Sequence, residues 1–122
     1  LEQNEAFAKE KELQDGWKVP TAQFWLYVDG RPVGIGRIRH FLTDKLRQEG
    51  GQVGYAIRPG ERNKGYGTLL LGELIKEARK MKIPEVLLTV HNGNEYSKKV
   101  ALANHGVIEK VSSERHYIRI PC

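Results

Sequence analysis

Ile57-Arg58-Pro59-Gly60-Glu61-Arg62-Asn63-Lys64-Gly65-Tyr66-Gly67-Thr68 is the stretch on which the reading of this chain turns. Pro59 biases Arg58 away from helix and Gly60 permits a tight turn, so a strand arriving at Ile57 stops here. Downstream, Tyr66, Leu70, Leu74, Ala78 and Met81 recur at spacings of four and three, the apolar stripe of a helix over about 66–81. Leu69, Leu71 and Ile75 widen the stripe, as expected of a helix packed on a sheet. Glu73, Lys76, Glu77, Arg79 and Lys80 face water, with the basic residues towards the C-terminus where the helix dipole favours them. Arg62 to Thr68 therefore joins a strand to a helix start. Such a start has unpaired backbone N–H groups and a partial positive charge, and it receives anions well. Glycines at 65 and 67 let a pyrophosphate approach the backbone, and Arg62 and Lys64 add full charges beside it. An ordinary glycine-rich turn ahead of a helix satisfies the same spacing.

The flanks complete an α/β pattern. Gln52 to Ile57 reads as the strand before the turn. Ile83-Pro84 ends the helix, and Val86 to Val90 is an almost continuously apolar strand of the kind covered on both faces. Strand, helix, strand over 52–57, 66–81 and 86–90 is the βαβ pattern of a parallel pair. His91-Asn92-Gly93 is a loop, Asn94 caps a second helix reaching about Asn104, and Gly106 stands where a helix-ending glycine is expected. Val107 to Val111 and Arg115 to Ile120 are two closing strands. Upstream, Phe24-Trp25-Leu26-Tyr27-Val28 and Val33 to His40 form a hairpin about Asp29-Gly30. Gly34 and Gly36 in the returning strand predict close approach by a neighbouring backbone or side chain. Leu42 to Gln48 reads as a polar connection, closed by Glu49-Gly50-Gly51. The polar Glu2 to Lys11 reads as part of a peripheral or incomplete N-terminal helix over about 1–15, in a chain that opens on Leu1 rather than methionine. One mixed sheet within a single domain, 1–122, accounts for all of these elements.

The 122 residues are 39% hydrophobic and 29% charged, ordinary for a globular domain. No apolar run approaches the roughly 18 residues of a membrane span, and no secretory signal pattern opens the chain, so no membrane partner is expected. The single cysteine, Cys122, excludes an internal disulfide framework and is compatible with a cytoplasmic setting. Twenty Lys and Arg against 15 Asp and Glu give a charge of +5, which suits either an anion binder or a solvated basic surface. A recognition helix or stacking-aromatic pattern is lacking, so nucleic acid is not the expected anion. The four histidines and Cys122 show no metal-ligand spacing, and no metal is expected.

Other phosphate motifs fit the turn less well. A P-loop places its lysine after the glycine, whereas Lys64 precedes Gly65. A dinucleotide fingerprint needs a third glycine at position 70, where Leu70 stands. Ile57-x-Pro59-x-x-Arg62-x-x-Gly65-x-Gly67 instead resembles the coenzyme A pyrophosphate motif of GNAT acetyltransferases, and Asn94-x-x-Ser97-x-x-Val100 with Gly106 resembles that family's second cofactor element. Arg39-His40-x-Leu42-x-Asp44, Gly50 to Pro59, Asn94 to Val100 and Arg115-His116-Tyr117-Ile118 are similar to a group of bacterial predicted acetyltransferases. The resemblance spans roughly residues 20 to 120.

It implies a mostly antiparallel mixed sheet whose central parallel pair splays into a V, flanked by helices. It implies acetyl-CoA as co-substrate and direct transfer of acetyl to a primary amine, from a small molecule or from a peptide or protein, in a ternary complex. Carried over residue by residue, the backbone at Tyr55 and Ile57 would bind the pantetheine arm, with the Ile57 N–H polarising the thioester carbonyl. Arg62, Asn63, Lys64, Gly65, Tyr66, Gly67 and Thr68 would hold the pyrophosphate, while Asn94 and Ser97 would meet the pantetheine. Capping of the second helix is the alternative role for Asn94 and Ser97. Family members often form dimers, so a homodimer is open. His40, Gln52, Tyr55, His116 and Tyr117 are candidates for the acceptor side, against the alternative of tethered core aromatics and ordinary histidines. One departure matters: many family members carry a tyrosine seven residues after the asparagine to protonate the departing thiolate, and Ala101 stands there. That departure motivates a second reading, a coenzyme A-binding module that no longer catalyses.

Overall fold

The computed structural model describes residues 2–6, 20–48 and 50–122. Strand β1 (Glu2–Ala6) pairs antiparallel with β2 (Thr21–Val28), which pairs with β3 (Arg31–Arg39), which pairs with β4 (Val53–Ile57). A second sheet runs β5 (Glu85–His91), β7 (Arg115–Pro121), β6 (Val107–Val111). Among the described residues three α-helices complete the order, α1 (Asp44–Gln48), α2 (Tyr66–Lys80) and α3 (Glu95–Ala103), with a 3-10 turn at Pro59–Glu61. No described helix is long and apolar enough to cross a membrane.

Two expectations fail at the N-terminal side. Glu2–Ala6 is a strand, not part of a helix, because its backbone continues the ladder of β2 from Glu2↔Trp25 to Ala6↔Thr21. The remainder of that expected helix lies outside the described residues. The connection over 42–48 contains α1, started by the Thr43 hydroxyl accepting from the Leu46 N–H at 3.3 Å and anchored by the buried Leu46.

The hairpin forms as read, with Asp29 and Gly30 both in the left-handed region that a two-residue turn demands. Ala22, Phe24 and Leu26 alternate into the core from β2. Leu70, Leu71, Leu74 and Ala78 seat α2 on the sheet and are wholly buried. Leu69 does not join them; it is exposed, sharing the solvent face with Lys76 one period on. Gly34 and Gly36 explain how α2 lies so close to β3. A Cβ at Gly36 would stand 2.5 Å from Leu74 Cδ1, and one at Gly34 would stand 2.7 Å from Ile57 Cδ1 and 3.1 Å from Leu70 Cδ2.

The two sheets meet at β4 and β5. The Gln52 N–H donates to the Leu87 carbonyl at 2.7 Å, and Gly51 lies so close that a Cβ there would sit 2.7 Å from the same oxygen. Beyond that point no ladder joins β4 to β5, and the pair diverges. Behind it, the Gly106 N–H closes α3 on the Ala101 carbonyl at 3.0 Å. Here the left-handed residue is His105, and Gly106 is required instead because a Cβ would strike Ala101 O and Ile118 Cγ2.

Candidate functional site

Ladder alternation decides which backbone groups of β4 are free. Arg58 N–H donates to the Val33 carbonyl at 2.8 Å, which makes that opposed pair a hydrogen-bonded one. Residues 54 and 56 then also address β3, while Val53, Tyr55 and Ile57 turn their N–H and C=O groups towards β5. Since β5 supplies no ladder there, the N–H groups of Tyr55 and Ile57 face the gap between the strands. The Ile57 carbonyl takes a donor from elsewhere, the Arg62 Nε at 3.2 Å.

Two cavities occupy this region. The larger, about 470 Å³, is bounded by Tyr55, Ala56 and Ile57 of β4, by Arg62 and Asn63 of the turn, and by Asn94, Tyr96 and Ser97 at the head of α3. The smaller, about 160 Å³, lies between β4 and β5, from Gly50 and Val53 to Leu88, Thr89, Val90 and His91. Tyr55, Asn94 and Ser97 line both, so they form the junction of one slot.

The turn at the outer end has the predicted shape, with a different use of its charges. Asn63 and Gly65 are left-handed, and α2 begins at Tyr66 without a side-chain cap, so its first amides are not satisfied by a cap. Lys64 is bound to Glu61 at 3.1 Å, and Arg31 grips the same carboxylate at 2.9 Å. The hydrogen bond from Arg31, followed by that from Lys64, holds the Glu61 pKa down at about 2. Gly65 has open space where a side chain would be, as an approaching anion requires. Gly67 has not: its missing Cβ makes room for the Tyr96 hydroxyl rather than for the expected phosphate. Thr68 is exposed on the first turn, and its carbonyl accepts from Asn104 Nδ2 at 3.2 Å.

Asn94 performs the capping expected of it, its Oδ1 accepting from the Ser97 N–H at 3.1 Å. Asn94 also lines both cavities. The Tyr55 hydroxyl is buried and makes no hydrogen bond of good geometry, although the Ser97 hydroxyl lies beside it. Burial pushes the Tyr55 pKa up, and Ser97 pulls it partly back.

The other acceptor-side candidates line neither cavity. Gln52 is buried, donating from Nε2 to the Arg39 carbonyl at 3.3 Å. His40 sits exposed just beyond β3. Tyr117 donates to the Gln48 carbonyl at 2.9 Å and carries Lys110 over its ring, tying β7 to α1. His116 meets Asn92 Oδ1 at 2.7 Å, while Asn92 Nδ2 donates to the Ser112 carbonyl at 3.0 Å. The amide orientation makes Oδ1 the acceptor, so His116 Nδ1 carries the proton and the pair holds the β6–β7 hairpin to the loop after β5.

Sequence reasoning missed His91 and Tyr96. Alternation along β5 was the available signal for His91: Leu88 and Val90 point to the helices, so Thr89 and His91 point away. Nothing local marks Tyr96, whose role depends on a glycine of another helix. Among the described residues no group of three or more His, Cys, Asp or Glu is placed to hold a metal.

A sheet split between β4 and β5, with a slot running to an uncapped helix start, is the architecture of acyl-group transferases built on the GNAT plan. The chain belongs to the acetyltransferase (GNAT) family, whose model it matches over residues 2–107. No curated protein is matched by its sequence. Its fold is similar to that of the N-acetyltransferase PseH from Campylobacter jejuni in complex with acetyl coenzyme A, at 20% identity and a TM-score of 0.67 over 91% of this chain and 73% of that one. It is also similar to the aminoglycoside acetyltransferase AAC(6')-Ib in complex with coenzyme A and kanamycin, at 11% identity and a TM-score of 0.70, covering 83% and 66%. A spermidine N-acetyltransferase chimera from Vibrio cholerae and hSSAT matches at 12% identity and a TM-score of 0.67, with the same 83% and 66% coverage.

Proposed function

We propose that this chain is an N-acetyltransferase that moves acetyl from acetyl-CoA directly to a primary amine. The observation that carries the reading is the slot itself: two cavities joined at Tyr55, Asn94 and Ser97, open at one end to uncapped amides and at the other to the gap between β4 and β5. Acetyl-CoA would supply an activated thioester, and the neighbours crystallised with acetyl-CoA or coenzyme A support its choice.

The residues divide the work by position. The first amides of α2 and the backbone about Asn63 and Gly65 would meet the pyrophosphate, aided by the positive end of the helix dipole. Arg62 and Lys64 contribute less than their charges suggest, one being turned to the Ile57 carbonyl and the other paired with Glu61. Tyr55 and Ile57 offer backbone N–H groups along the free edge of β4, where an extended amide-bearing arm pairs as a strand would. The Ile57 N–H would face the oxygen on which charge develops. Asn94 Nδ2 offers a further donor at the junction.

At the inner end, His91 Nδ1 accepts from the Gly93 N–H at 3.2 Å, which places the neutral ring's proton on Nε2. His91 thus orients as a donor, and water in the slot takes the proton that the amine must lose. A lysine-like amine near pKa 10.4 is neutral only to about one part in a few thousand at pH 7, so that loss limits the rate at low pH.

The test is calorimetric titration with coenzyme A, followed by thiol release from acetyl-CoA with a panel of mono-, di- and polyamines and of peptides with free amino termini. Saturable coenzyme A binding and turnover with at least one amine is the expected result. Binding without turnover on any amine favours the non-catalytic module, and absence of binding sinks both.

A further inference from the structure

The Tyr55 hydroxyl is buried and, although the Ser97 hydroxyl lies beside it, makes no hydrogen bond of good geometry among the described residues. A buried hydroxyl left unpaired costs free energy, so its retention calls for a partner that arrives later. Its position says which. Tyr55 shares a face of β4 with the buried Val53 and Ile57, so its ring points to the heads of α2 and α3. There it lines both cavities, at the one place along the slot where they join. Ala101, further along α3, is wholly buried and brings no protic group.

We infer that the Tyr55 hydroxyl is the hydrogen-bond donor to the coenzyme A sulfur, holding the charge that builds there as the carbon–sulfur bond breaks. The inference rests on the acetyl-CoA reading above. In the step, the amine lone pair forms the new bond to the acetyl carbon, and the carbon–sulfur pair moves to sulfur. The proton released by the nitrogen ends on sulfur through water, giving an amide and a thiol. Tyr55 keeps its own proton throughout, as suits a phenol whose ordinary pKa already exceeds that of a thiol and which burial raises further. A preorganised donor aimed at the point of developing charge is the general device of such catalysis.

The test follows the thiol rather than the turnover. Full-length wild type and Tyr55→Phe are each saturated with coenzyme A labelled at the carbon bonded to sulfur, and thiol ionisation is followed by NMR across pH. The bound thiol is expected to ionise about one pH unit lower in the wild type, a tenfold change in its ionisation constant. Tyr55→Phe should bind the protonated thiol form within about threefold of wild type and melt no lower, since it sheds an unpaired hydroxyl. Equal thiol pKa values with both proteins binding coenzyme A overturn the inference and leave the proposed function standing. A variant melting several degrees lower also overturns it, because the hydroxyl is then structural. If the wild type binds no coenzyme A, the reading beneath falls and this inference with it.

Discussion

Asn94 is where two roles can be separated by one atom. Its Oδ1 caps α3, and the residue lines the slot, where its Nδ2 is the donor proposed for the cofactor. Asn94→Asp keeps an oxygen for the cap and deletes the donor, whereas Asn94→Ala deletes both. Asp should leave the melting temperature nearly unchanged and weaken coenzyme A binding about 5- to 20-fold, the loss of one good hydrogen bond. Ala should weaken binding similarly and also cost about 1 kcal/mol of stability. Thermal melts and titrations of both variants decide it; unaltered affinity in Asn94→Asp would reduce the residue to a cap. Glu61 gives a second residue-scale prediction. Its folded pKa of about 2, set by Arg31 and Lys64, lies below the ordinary carboxylate value, so its pairing stabilises the fold above the unfolded pKa. That contribution is lost as pH falls from about 4.5 towards 2. Melting curves of Glu61→Gln against wild type should therefore differ at pH 6 and converge near pH 2; a constant gap would show that the charge is irrelevant.

At the scale of the element, the chain was legible wherever a period was long enough to show a face. Helix α2 could be read because fifteen residues display four turns of one stripe, and the hairpin because Asp29-Gly30 has few other uses. Helix α1 was not, since five residues display hardly more than one turn and its single anchor is Leu46. Strand β1 carries the polar sequence EQNEA and is a strand by virtue of its ladder to β2, which no local pattern announces. In the slot, Ile57, Asn63, Asn94 and Ser97 were legible from motif and spacing, and Tyr55 from its place on β4. His91 and Tyr96 were not, because one is brought to the gap by the course of β5 and the other is seated by a contact between helices. The glycines of β3 were legible as close approaches but not as approaches to α2. They make a test of helix–sheet spacing: Gly36→Ala should destabilise by about 1–3 kcal/mol by forcing Leu74 off its site. Denaturant midpoints measure this, and Gly54→Ala is the control, its Cβ meeting nothing within 4 Å. Equal midpoints for the two variants would mean that α2 floats on the sheet.

For the whole molecule, the arrangement of the slot bears on the proposed order of the chemistry. A covalent route through the protein needs a nucleophile at the junction, held to a base within hydrogen-bond reach. The chain's one cysteine is Cys122, at the far end beyond β7, where burial raises its thiol pKa and its carbonyl is held by Arg79 Nε at 2.8 Å. Ser97 lies at the junction, but beside it are the Tyr55 phenol, itself a poor base when protonated, and the Asn94 amide, while His91, which lines the same smaller cavity, has its Nδ1 taken by the Gly93 N–H. On the proposed function, acetyl would therefore pass to the acceptor while both are bound. Varying acetyl-CoA at several fixed concentrations of a productive amine should give reciprocal plots that intersect, not the parallel lines of a two-stage exchange. Incubation with acetyl-CoA alone should leave the protein mass unshifted. A stable acetyl adduct on Ser97, or parallel plots, would show that the junction builds a nucleophile from groups whose geometry here gives none.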